Sequence, residues 1–73
     1  MKDDELALRI ISALNFFREN RNMKEVPISI IAQGLSLKYG PEINEARIKK
    51  VAQDQPTLIK LKGASLALPT EMF

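Results

Sequence analysis

Between Arg47 and Lys62 the chain carries five basic residues, Arg47, Lys49, Lys50, Lys60 and Lys62, against one acid, Asp54. A guanidinium fork and ammonium groups suit anionic oxygens, phosphate above all. Gln53 falls in the same stretch. A glutamine amide matches the edge of adenine, as arginine or lysine matches that of guanine. Asn44 stands at the head of the stretch, where it and the open backbone amides of a helix start can meet a phosphate. The chemistry on offer is binding rather than bond-making.

Other chemistries find little support. The chain has no cysteine and no histidine. This removes disulfides, cysteine-type zinc sites, thiol nucleophiles and the commonest general base. Asp3, Asp4 and Glu5 are adjacent carboxylates near the start of the chain, not a pair held across a cleft, and no acidic spacing resembles a calcium loop. The three glycines are scattered at 34, 40 and 63, so there is no phosphate-cradling loop. Neither an enzyme, a cofactor nor a metal site is expected.

Seventy-three residues make one domain. Below about 80 residues apolar burial and chain entropy nearly cancel, so packing must be efficient or a partner must help. The hydrophobic share of 45% points to a globular chain rather than a disordered one. No apolar run approaches the roughly 20 residues of a membrane span, and no signal-peptide pattern is visible. A soluble intracellular protein, cytoplasmic or nuclear, without a membrane partner is the expectation. A net charge of +2 says little about partners; its distribution says more. Acids crowd the start and bases the later half.

These residues need elements to hold them. Residues 3–20 read as a first helix, capped by Asp3 or Asp4, with acids that complement the helix dipole. Leu6, Ile10, Ala13, Leu14 and Phe17 form one apolar stripe. Leu8, Ile11 and Phe16 fall off it, leaving a candidate protein interface unless the hairpin and C-terminal tail cover them. Val26-Pro27-Ile28 reads as a short strand. Ser29 should cap a second helix over 30–39, with Ile31, Ala32, Leu35 and Tyr39 inward. Gly34 inside it suggests a close helix crossing, and Gly40-Pro41 a left-handed glycine stop. Asn44 should cap a third helix over 44–54. There Ile48, Val51 and Ala52 point inward and Ala46, Lys50 and Gln53 outward, with Arg47 and Lys49 to either side.

A hairpin follows over 57–61 and 64–68. A turn at Lys62-Gly63 pairs Leu61 with Ala64, Ile59 with Leu66 and Thr57 with Leu68, which puts every apolar partner on one face. A turn at Gly63-Ala64 would pair Lys62 with Ser65 and break this match, so the first register is expected. Met72 and Phe73 are expected to pack back on the first helix.

This order, mostly α with a small antiparallel sheet, resembles the winged helix-turn-helix superfamily: three helices and a short β-hairpin wing. The runs Val26-Pro27-Ile28, Ile48-Lys49-Lys50-Val51, Pro56 to Leu61 and Leu66 to Pro69 look somewhat like LOTUS (OST-HTH) domains. That resemblance implies RNA binding and, in some members, docking to a helicase partner. In helix-turn-helix docking the second helix of the motif enters the major groove. The reading is a small nucleic-acid binder, DNA before RNA, that uses Asn44, Arg47, Lys49, Lys50 and Gln53, with Lys60 and Lys62 as wing contacts to the backbone. The alternative is a protein-interaction winged helix, as a homodimer or within a larger assembly, using Leu8, Ile11 and Phe16. Glu45 and Lys49 also stand i,i+4 in the favourable order, as on any solvated helix.

Overall fold

The computed structural model describes residues 1–69. The tail over 70–73, with the packing expected of Met72 and Phe73, lies outside the described residues.

Helix α1 spans Asp3–Arg21, β1 Glu25–Pro27, α2 Ile28–Tyr39, α3 Glu45–Asp54, β2 Lys60–Lys62 and β3 Ser65–Ala67. The three strands form one antiparallel sheet in the order β1-β3-β2. Three helices, an inserted strand and a terminal hairpin make a winged-helix-like layout, mostly helical with a small sheet.

The stripe on α1 supplies one wall of the core. Leu6, Ile10 and Leu14 are buried, and Ala13 and Phe17 pack partly against them. Ala7, off the expected stripe, is buried as well. Lys2, not Asp3 or Asp4, occupies the N-cap, and it makes no side-chain capping bond. The three acids lie one step inside, in the first turn, where they still oppose the helix dipole. At the other end Asn22 adopts a left-handed φ of 54°. The Met23 amide donates to the Phe17 carbonyl at 3.1 Å, satisfying one of the open carbonyls of the last turn.

Helix α2 starts at Ile28, and Ser29 does not cap it; Pro27 stands in the N-cap position. The Ile28 amide donates instead to the Ala64 carbonyl at 2.8 Å. The hairpin turn thus satisfies the first amide of α2, one that an N-cap side chain does not reach. Ile31, Ala32 and Leu35 are buried as the spacing requires. Gly34 marks no crossing: nothing lies within 4 Å of a Cβ built there. Gly40 ends α2 with φ 126° and ψ 156°, an extended glycine-only conformation rather than the left-handed cap.

Helix α3 is capped as its sequence implies. The Asn44 side-chain oxygen accepts from the Arg47 amide at 2.9 Å. Ile48, Val51 and Ala52 are buried on its inner face.

The hairpin departs most from expectation. Its register pairs Lys60 with Ala67, Leu61 with Leu66 and Lys62 with Ser65, so the turn is Gly63-Ala64. Moving a two-residue turn by one position shifts the pairing by two, which leaves every side chain on its original face. The apolar pattern fits both registers, and turn geometry decides between them. Both favoured hairpin turns need positive φ at their first central residue. Gly63 supplies it at φ 61°; Lys62 would be strained there. The first strand is also shorter than 57–61. The Leu58 and Ile59 amides both donate to the Gln55 carbonyl at 3.0 Å, so residues 56–58 form a turn and pairing starts at Lys60. Across the sheet Val26, Leu66 and Leu61 share the inner face.

Candidate nucleic-acid interface

The capped start of α3 and the hairpin turn lie side by side. Glu45, Ala46 and Lys49 of α3 line one shallow trough with Gly63 and Ala64 of the turn, floored by Ile28. The Ile28–Ala64 hydrogen bond pins that turn to the start of α2. The two elements that would meet a polyanion therefore form one fixed surface.

The expected side chains differ in how open they are. Lys49, Lys50 and Gln53 are exposed on the face of α3 opposite Ile48, Val51 and Ala52. Asn44 is exposed too, but its oxygen is committed to the cap, which leaves only its amide NH₂ to donate outward. Arg47 is not a free reader. Its guanidinium lies 3.5 Å from the Asp3 carboxylate, with a quarter of its side chain exposed, and it donates to the Met1 carbonyl.

The wing lysines also divide. Lys62 forms an ion pair with Glu25 at 3.1 Å, both side chains well exposed. Glu25 and Lys62 belong to the two edge strands and share the outer sheet face with Ser65 and Ala67. Their pair crosses above β3, on the face where Ala67 is buried. Lys60 is half-buried on that face. An exposed pair of this kind is worth roughly 0–1 kcal/mol, so a phosphate can compete for Lys62.

Ile11 and Phe16 face different hollows, and Leu8 is 62% exposed on α1. Ile11 is half-buried and lines a hollow with Leu58, Leu68 and Pro69. Phe16 turns the other way, into a groove between α1 and α2. The apolar side of that groove missed by sequence reasoning is Ile30, 39% exposed; its position opposite Phe16 depends on how the two helices cross.

No helix among the described residues is long and apolar enough to cross a membrane. Compared with protein-family models, curated proteins and solved structures, the chain shows no significant match to any of them.

Proposed function

We propose that the chain is a small nucleic-acid-binding winged helix that docks α3 against duplex DNA. The observation that supports this is the surface that Lys49 of α3 shares with the hairpin turn, with Lys50 and Gln53 exposed further along α3. Lys50 and Gln53 stand one turn apart and offer donors to base edges. Lys49, beside the turn, and Lys60 serve phosphates. The short turn adds no reach of its own.

Binding in this reading is weak and governed by salt. If Lys49, Lys50 and Lys60 neutralise about three phosphates, log K falls with log salt at a slope of about −3; opening the Arg47 and Lys62 pairs raises it to about −4.5. Titration of the isotopically labelled chain with short DNA and RNA duplexes and single strands, at about 50 mM salt, tests the reading. Amide shifts should concentrate on residues 44–54 and 60–64 with the DNA duplex. Absence of shifts with every nucleic acid overturns it, and a stronger response to RNA overturns the choice of DNA.

A further inference from the structure

We propose that the groove between α1 and α2 docks a short amphipathic helix of another protein, one that carries a carboxylate at one end. All residues lining the groove come from α1 and α2, none from α3 or the hairpin, so the inference does not depend on the nucleic-acid reading.

The groove has a volume of about 450 Å³. Its walls are rows at helical spacing: Arg9, Ala13 and Phe16 on α1, and Ile30, Gly34 and Lys38 on α2. From Ile30 to Lys38 at ~1.5 Å per residue a wall runs about 12 Å, or two helical turns. That length suits side chains at i, i+3 or i+4, and i+7 of an incoming helix. Gly34 leaves the floor open, with nothing within 4 Å of a Cβ position.

The groove is polarised. At one end Phe16 meets Phe17 edge to face, ring centroids 5.6 Å apart, with Ile30 exposed nearby. At the other, Arg9 and Lys38 sit 5.2 Å and 5.4 Å from the centre of the Tyr39 ring. No acidic residue lines the groove. The Glu5 carboxylate reaches Arg9 only at 3.9 Å, with both side chains about half exposed. Two cations close to one aromatic ring, beside an apolar trough, match a ligand with hydrophobic side chains and an Asp or Glu one turn beyond.

Gly34 provides the test. Leucine there has room, suits a helix better than glycine, and fills the floor. A library of short helical peptides displayed on phage is selected against the whole chain, and the best-enriched peptide is synthesised. Enriched sequences should carry the apolar triplet and a terminal Asp or Glu. The peptide should bind Gly34→Leu and Lys38→Glu at least about tenfold more weakly, while thermal melts show both variants folded. No enrichment, an enriched set without acids, or equal binding to Gly34→Leu overturns the proposal. So does sedimentation of a dimer of the unaltered chain that Gly34→Leu dissolves, since the occupant would then be a second copy.

Discussion

The guanidinium of Arg47 lies 3.5 Å from the carboxylate of Asp3. The side chain on α3 best suited to a forked contact is thus held by the first turn of α1. A pair whose carboxylate is half exposed contributes little to stability. It can contribute more to binding, because a phosphate must displace Asp3 to use the arginine. Asp3→Asn should shift the melting free energy by less than about 1 kcal/mol and steepen the salt slope of duplex binding by about 1. Fluorescence anisotropy with a labelled duplex across a salt series checks both binding and slope. An unchanged slope means that Arg47 takes no part.

Lys49→Glu combined with Lys50→Glu reverses two exposed charges on α3 without touching its buried face. Duplex affinity at about 50 mM salt should fall by at least about a hundredfold, with the melting midpoint nearly unchanged. Equal binding by the double variant would remove α3 from the interface.

The two sequence-level cap candidates should behave differently. Asn44→Ala loses the bond to the Arg47 amide and should cost about 1 kcal/mol, a fall of about 4–8 °C in melting midpoint for a domain this size. Ser29→Ala should stay within about 0.5 kcal/mol, since Ser29 is exposed inside the first turn of α2 and caps nothing. Calorimetry on the two variants tests the contrast.

Gly34 and Gly40 should also part. Gly34→Ala should stabilise the domain by up to about 1 kcal/mol, as on any open helical face. Gly40→Ala places a Cβ at φ 126° against the Glu42 carboxylate and should cost about 1–3 kcal/mol. Adding Glu42→Ala should recover only the part due to the clash. Full recovery would show that the backbone at Gly40 carries no strain.

Leu66 is fully buried at the centre of the sheet, between Val26 and Leu61. Leu66→Ala should cost about 2–5 kcal/mol. With a urea slope near 1 kcal/mol/M the unfolding midpoint drops by about 2 M or more. Leu37→Ala, at a side chain 83% exposed, should change stability by less than about 0.5 kcal/mol.

The legible parts of this fold were those set by local chemistry. The Asn44 cap, the inner face of Ile48, Val51 and Ala52, and the α1 stripe follow from neighbouring residues alone, and all three appear in the structure. The misreadings fall where a distant segment decides. Ser29 looks like a cap until α2 starts two residues earlier, at Ile28, whose amide bonds the Ala64 carbonyl. Gly34 looks like a crossing until the helices leave it open. Arg47 looks free until α1 folds over it. The hairpin register differs for another reason: the face pattern allows both registers, and only the positive φ at Gly63 separates them.

The sheet has two edges, and both are guarded. β1 ends in Pro27, which lacks an N–H, and β2 spans only Lys60–Lys62, with a lysine at each end. Short edges bearing proline and lysine resist pairing with a foreign strand. The Glu25–Lys62 bridge over β3 adds a charged cover to the outer face. Growth by strand addition is therefore disfavoured at both edges, and the helices offer the more open surface for a higher-order assembly.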